Sequence, residues 1–212
     1  MSAPQSYYVP VDAGEAEFTE KRSRFLGHVR RVETEAEARA FLDEMRKKYY
    51  DARHNCWCYV LHEGGVVRYG DDGEPQGTAG QPMLNVFQRE GVENVVCVVT
   101  RYFGGVLLGA GGLTRAYAKS AKDALDAAGK ARMRLWSAVT VDCPYPMLER
   151  LKLLAAAHGG TVEGTDFGAV VSIRILLPQE NAAGFDAALT ELSAGTMTAR
   201  REGERFLPGP RE

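Results

Sequence analysis

The stretch Arg101-Tyr-Phe-Gly-Gly-Val-Leu-Leu-Gly-Ala-Gly-Gly-Leu-Thr-Arg115 joins an apolar segment, residues 95–100, to an amphipathic one, residues 112–128. This order predicts a buried strand, a glycine-rich turn and a long helix. Backbone N–H groups at a helix start, together with the helix dipole, favour an anion there. The turn therefore predicts an anion-binding loop, and the alternative is that its glycines serve only close packing of helix against strand. The proposed anion-binding residues are Arg53, Arg101, Gly104, Gly105, Gly109, Gly111, Gly112 and Arg115.

A second unusual stretch, Asp71-Asp-Gly-Glu-Pro-Gln-Gly-Thr-Ala-Gly-Gln-Pro82, concentrates carboxylates, glycines and prolines. Loops of this kind often carry function on a rigid scaffold, although the same residues also make ordinary turns. The carboxylates could hold a divalent cation or pair with the arginines of the glycine loop. We therefore expect one composite site at which both loops meet. Its expected carboxylates and neighbours are His54, Asp71, Asp72, Glu74 and Thr78.

Bulk properties limit the possible classes of function. The 212 residues are 45% hydrophobic and 25% charged, as in ordinary globular proteins, and the net charge of −2 does not demand a nucleic-acid partner. No signal peptide and no apolar run of about 18 residues is found, so no membrane contact is expected and the cytoplasm is the expected compartment.

The cysteines lie in apolar, strand-like segments. Cys56 and Cys58 share a strand face with His54, and Cys97 could approach them as a fourth ligand. Structural zinc sites use tighter spacings, so the pattern favours buried, reduced thiols over a metal site. We expect no metal and no cofactor.

The order of predicted elements indicates an α+β chain with two domains. The boundaries are a loose N-terminus over 1–14, a first domain over 15–132, a second over 137–202 and a disordered tail over 203–212. The polar segment 130–134 is the expected connector. The second domain follows the order βαββαβ, which is typical of the ferredoxin-like fold.

Three motifs together resemble the IMPACT/YigZ family: Arg53-His-Asn-Cys-Trp57, the Asp71–Gly80 loop and the segment Arg101–Tyr117. The resemblance implies a first domain with the ribosomal-protein α/β fold that elongation factor G also uses, with a sheet of four or more strands and its helices on one face. It implies a second domain similar to the last domain of that factor. Eukaryotic relatives regulate translation by competing for an activator of a stress-responsive kinase. A role in translation rests here on analogy of fold.

Charge is distributed unevenly between the two predicted domains. Residues 1–136 hold 19 basic and 18 acidic side chains, which gives +1, whereas residues 137–202 hold 5 and 8, which gives −3. RNA is therefore expected to contact the first domain.

The favoured function is a translation-associated protein that binds RNA or a ribosome-associated partner. The alternatives are an enzyme acting on a phosphorylated small molecule through Asp71, Asp72 or Glu74, and a protein-interaction module. No catalytic motif demands the enzyme, and the oligomeric state is left open.

Overall fold

The structure is a computed structural model that describes residues 7–212. The described chain forms two compact units. Unit 1 comprises the residues up to Met133 together with Pro208–Glu212, and unit 2 comprises Arg134–Leu207.

Unit 1 is built around a five-stranded antiparallel sheet. The elements of unit 1 are β1 (Tyr8–Pro10), β2 (Gly14–Glu20), β3 (Ser23–Arg31), α1 (Glu35–Lys48), β4 (His54–Leu61), β5 (Val66–Gly70), α2 (Gly80–Arg89), β6 (Val95–Tyr102) and α3 (Ala110–Ala128). The strand order is β2-β3-β6-β4-β5, so β6 lies at the centre. This central position explains the continuous valine run, because a central strand that is covered on both faces has no solvent-facing side.

Helices cover both faces of this sheet. Cys56 and Cys58 of β4 pack in the core beneath α2 and α3, whereas Tyr59 and Leu61 pack with α1. The expectation that all helices lie on one face is therefore wrong in this respect. The alternation of apolar residues along β4 is the physical reason, since both sets of side chains need cover from water.

Local sequence features explain where α1 begins and where α3 ends. Thr34-Glu-Ala-Glu37 is the sequence pattern of a capping box, and the structure has it at the start of α1: Thr34 Oγ1 accepts from the Glu37 backbone N–H, and the Glu37 carboxylate accepts from the Thr34 N–H. Helix α3 begins at Ala110, two residues before the predicted start at Gly112. Its last residue is Ala128, and the next residue, Gly129, has a φ of 67°, which suits glycine.

Unit 2 has the predicted βαββαβ order. Its elements are β7 (Lys130–Cys143), α4 (Leu148–Ala157), β8 (Thr161–Phe167), β9 (Val171–Pro178), α5 (Gln179–Leu192) and β10 (Ala199–Arg211). The sheet order β8-β9-β7-β10 is that of a ferredoxin-like fold. Its core joins Val139, Ile173 and Ile175 of the sheet to Leu151 of α4 and Phe185 of α5.

Three segments that were expected to be irregular are strands instead. Residues 130–134 open β7, and residues 203–211 complete β10 rather than forming a disordered tail. Within the expected loose terminus, residues 8–10 form β1, while residues 1–6 lie outside the described part of the chain. The reason is backbone pairing over long sequence separations: the Glu212 N–H donates to the Lys130 carbonyl, at 2.8 Å. The amino-acid composition of a segment does not reveal backbone hydrogen bonds to distant residues.

No helix within residues 7–212 combines the length and the apolar character that crossing a bilayer requires.

Candidate functional site

The two motif loops of unit 1 meet at one cleft of about 340 Å³, which we call the glycine-loop cleft. One wall comes from the start of β4 and from the acidic loop, and the other from the glycine loop and the start of α3. Its lining residues are Arg53, His54, Glu74, Pro75, Arg101, Phe103, Leu107, Leu108, Gly109, Ala110 and Leu113. The expected meeting of the two loops is therefore seen, but the roles of their charged residues differ from those expected.

Asp71 and Asp72 are used in holding the acidic loop together. The Asp71 carboxylate accepts backbone N–H groups of Gly77, Ala79 and Gly80, at 2.8–3.1 Å, and so caps the start of α2. The Asp72 carboxylate accepts the Asn55 N–H, at 2.7 Å, which ties the loop to β4. Neither side chain lines the cleft.

Glu74 forms a buried ion pair with Arg101. Nη1 of Arg101 lies 2.7 Å from Oε1 of Glu74, and the two side chains are only 6% and 4% exposed. The Tyr117 hydroxyl donates to the same oxygen at 2.8 Å, and Arg101 also donates to Ser23 Oγ at 3.3 Å. Burial raises the pKa of Tyr117 well above its ordinary value, so this phenol remains a neutral donor.

This ion pair corrects the expectation for Arg101. Its guanidinium is committed to Glu74 inside the core and is not a free cation for an external anion. Loss of Arg101 would leave the Glu74 carboxylate buried without its partner. The carboxylates of the acidic loop are likewise engaged in structure, and no group of His, Cys, Asp and Glu within residues 7–212 is arranged to hold a metal ion.

His54 is held in a defined tautomer at the cleft wall. Its Nδ1 lies 2.8 Å from the Asp72 carbonyl, which can only accept, so Nδ1 carries the proton. The ring fits because Gly73 has no side chain; a Cβ there would come within 3.3 Å of Nδ1. Nε2 lies 4.0 Å from Glu74 Oε1, too far for a hydrogen bond.

The cleft also holds groups that are free to meet an anion. Arg53 is exposed and has no ion-pair partner among residues 7–212. Helix α3 begins with no side-chain cap, and its first intrahelical bond runs from the Leu113 N–H to the Gly109 carbonyl. The backbone N–H groups of the first turn of α3, before Leu113, therefore have no acceptor within the helix and are available to a ligand.

The five glycines of the loop differ in what each position requires. A Cβ on Gly104 would lie 2.0 Å from the backbone of Arg22, so this glycine allows close approach of two chain segments. Gly105 and Gly109 have φ values of 83° and 72°, which favour glycine. Gly111 and Gly112 lie within α3, and a Cβ on Gly111 would meet only the end of Arg115, at 3.6 Å. Packing thus explains Gly104, and the shape of the turn explains Gly105 and Gly109.

Arg115 and Thr78 also lie outside the cleft. Arg115 is exposed in a separate groove of about 180 Å³, which it shares with Lys21 and Lys119. Thr78 is buried, and its hydroxyl donates to the Pro75 carbonyl at 2.6 Å, so it stabilises the turn of the acidic loop.

Sequence reasoning missed the apolar wall of the cleft. Phe103 and Leu107 are 44% and 82% exposed, although large apolar side chains are usually buried. Their place in the glycine-rich segment was the available signal: Phe103 directly precedes Gly104, and Leu107 lies between Gly105 and Gly109. A turn of this kind has little core in which to bury large side chains. Tyr117 was assigned to the core stripe of α3, where it lies, but its bond to Glu74 was not foreseen.

The cysteines are free and buried. Burial raises the pKa of the Cys56 and Cys58 thiols, and Cys56 donates to the Asp71 carbonyl at 2.9 Å. These are the properties of inert structural thiols.

Fold and cleft together define a two-unit α+β protein with a ligand-sized cleft in unit 1 and a ferredoxin-like unit 2. Residues 21–125 match the Impact N-terminal domain, and residues 141–196 match a domain of unknown function, DUF1949. The chain belongs to the IMPACT family.

The relatives cover nearly its whole length. It is 36% identical to the IMPACT family member YvyE of Bacillus subtilis, over 94% of this chain and 92% of that one. It is 35% identical to the IMPACT family member YigZ of Escherichia coli, over 84% and 88%. A crystal structure described as that of a hypothetical protein matches with a TM-score of 0.58 and 33% identity, over 92% of this chain and 96% of that one.

Proposed function

We propose that this chain is a translation-associated regulatory protein that binds RNA in the glycine-loop cleft. One observation carries the proposal: unpaired Arg53, the uncapped start of α3 and exposed Phe103 line the same cleft. A phosphate group suits the first two, and a base suits the third, because nucleobases stack on aromatic rings. The association with translation rests on the regulatory role that the family resemblance implies.

The distribution of charge supports a role for unit 1. Residues 1–136 carry a net charge of +1, whereas residues 137–202 carry −3. A phosphate backbone is repelled by a net negative surface, so binding through the ferredoxin-like unit is disfavoured. The neighbouring groove, which shares Leu108 with the cleft, adds the side chains of Lys21 and Arg115. Lys119 also lines this groove but is paired with Asp123.

The alternative of an enzyme working through the acidic loop loses its support. Asp71 caps α2, Asp72 holds β4 and Glu74 neutralises Arg101, so each carboxylate has a structural partner. A general base or a metal ligand needs a carboxylate without such partners, and Glu74, which lines the cleft, is held by Arg101 and Tyr117.

The test measures binding of a short single-stranded RNA to the full chain over a series of salt concentrations. Arg53→Ala should weaken binding and reduce the salt slope by about 1, the value for one lost phosphate contact. Phe103→Ala should weaken binding roughly tenfold without changing that slope, as loss of base stacking does. Arg89→Ala is the matched control, because Arg89 is also exposed on unit 1 but lies outside the cleft.

Equal binding by the Arg53, Phe103 and Arg89 variants would show that the cleft is not the RNA site. Absence of salt-sensitive RNA binding by the unaltered chain would refute the proposal as a whole.

A further inference from the structure

The acidic loop contacts the His54 side chain at Asp72 and at Gly73. The Asp72 carbonyl fixes Nδ1 as the donor, at 2.8 Å, and Gly73 leaves room for the imidazole ring. Because Nδ1 carries the proton, neutral His54 has its lone pair on Nε2. Nε2 has no hydrogen-bond partner within residues 7–212, although His54 is a lining residue of the cleft. A histidine that served only to anchor the loop would need Nδ1 alone.

Charged side chains from the acidic loop, from β6 and from the residue before β4 surround His54. Glu74 Oε1 lies 4.0 Å from Nε2, and the other charged groups near the ring are Arg101, its partner in register on β6, and Arg53, its chain neighbour. Arg101 is neutralised by Glu74, and the Asp72 carboxylate is bonded to a backbone N–H. Tyr117 and Cys56 are neutral donors in the same core. A charged imidazole would have the Glu74 carboxylate 4.0 Å away, and that carboxylate is already paired with Arg101, so an anion in the cleft would add a counter-charge.

We infer that His54, Arg53 and the start of α3 form a subsite for a terminal phosphate group of the RNA or nucleotide ligand, with His54 taking up a proton from solvent when that phosphate binds. The inference rests on the proposed function and specifies its ligand. Three kinds of donor meet in one cleft: a guanidinium, backbone N–H groups and an imidazolium. A phosphate monoester offers three terminal oxygens and up to two negative charges, whereas an internal phosphodiester offers two oxygens and one charge.

The apolar wall favours a nucleotide over inorganic phosphate. Phe103 and Leu107 expose ring and aliphatic surface beside the proposed phosphate position. The volume of about 340 Å³ is within the range of pockets for small ligands, so the cleft can hold a single phosphorylated nucleotide or the end of a chain.

The test compares one pentanucleotide in three forms: with a 5′-phosphate, with a 3′-phosphate and with neither. A free nucleoside monophosphate and inorganic phosphate serve as further probes. One phosphorylated form should bind roughly tenfold or more tightly than the unphosphorylated form, the gain expected for added charge-assisted hydrogen bonds. Strong binding of the monophosphate would identify a free nucleotide as ligand, and weak binding would identify an RNA end.

Proton uptake is measured by calorimetry of the same titration at pH 7.5, in buffers with different ionisation enthalpies. The full chain should take up a fraction of a proton with the phosphorylated ligand and none with the unphosphorylated one. His54→Asn keeps a donor near the Nδ1 position and should lose both the uptake and the preference for the terminal phosphate. His54→Gln, with an amide near the Nε2 position, should retain part of the preference without uptake.

The outcomes separate the two proposals. If RNA binds with the salt dependence described above but without preference for a terminal phosphate, the inference fails and the proposed function stands. Unchanged preference and unchanged uptake in a folded His54→Asn variant would also overturn it. If no form of RNA and no nucleotide binds, the proposed function fails first.

Discussion

The buried ion pair between Arg101 and Glu74 leads to a direct prediction about stability. Arg101→Ala removes a guanidinium that lies 2.7 Å from a carboxylate which is itself only 4% exposed. It also removes a hydrogen bond to Ser23 and the approach of the guanidinium to the Phe25 ring, at 5.4 Å from the ring centre. The Tyr117 hydroxyl then remains as a neutral donor to the Glu74 carboxylate.

The expected loss is large because one partner is removed and the other stays buried. Breaking a buried pair in this way costs about 3–5 kcal/mol in free energy of unfolding. Glu74→Gln in the Arg101→Ala background should recover part of that loss, since it removes the uncompensated charge and keeps the shape. Arg24→Ala is the matched control: its pair with Glu17 is also an arginine–glutamate pair and even has two hydrogen bonds, but both side chains are about half exposed, so little stability should be lost.

The assay is urea unfolding followed by the fluorescence of Trp57. The chain has two tryptophans, Trp57 in unit 1 and Trp136 in unit 2, so a Trp136→Phe background restricts the signal to unit 1. A loss for Arg101→Ala no greater than that for Arg24→Ala would refute the reasoning. Failure of Glu74→Gln to restore any stability would show that the orphaned charge is not the cause.

Other predictions concern the acidic loop, the glycines and the thiols. Asp71→Ala should lower the free energy of unfolding of unit 1 by about 1–2 kcal/mol, because three backbone N–H groups at the start of α2 lose their acceptor; an unchanged urea midpoint would contradict the capping role. Gly104→Ala should destabilise unit 1 by at least about 2 kcal/mol through its clash with the backbone of Arg22, whereas Gly111→Ala, in open space within α3, should be neutral or stabilising by about 0.5–1 kcal/mol. Thiol labelling of the native protein at pH 8 should be slow at all sites and should become fast in urea; rapid labelling or stoichiometric zinc by elemental analysis would contradict a purely structural role for Cys56, Cys58, Cys97 and Cys143.

Local patterns were enough for most of the fold. The valine run of β6, the apolar stripe of α3 and the capping box of α1 each depend on residues within one or two turns or on simple alternation. The βαββαβ order of unit 2 could be predicted for the same reason. Alternation also held an unused signal: Arg101 follows Val95, Cys97 and Val99 on one face of β6, and that face is buried.

The strands at the unit ends could not be predicted from composition. Residues 203–211 include charged side chains, two prolines and two glycines, which are typical of an irregular tail. In the structure these residues nevertheless belong to β10, which pairs with β7. Without β10, the backbone N–H and C=O groups along that side of β7 would be unpaired.

The sequence by itself determined that this chain has two α+β units, which segments form their helices, and that two unusual loops carry its distinctive chemistry. Only the tertiary structure decided which of those loop residues are available to a ligand. Arg101 and Arg53 are the same residue type in neighbouring motifs, yet one is buried against Glu74 and the other is exposed without a partner. The difference arises because a charge is either neutralised or left free by groups that are distant along the chain, and those groups are brought together only when the strands pair.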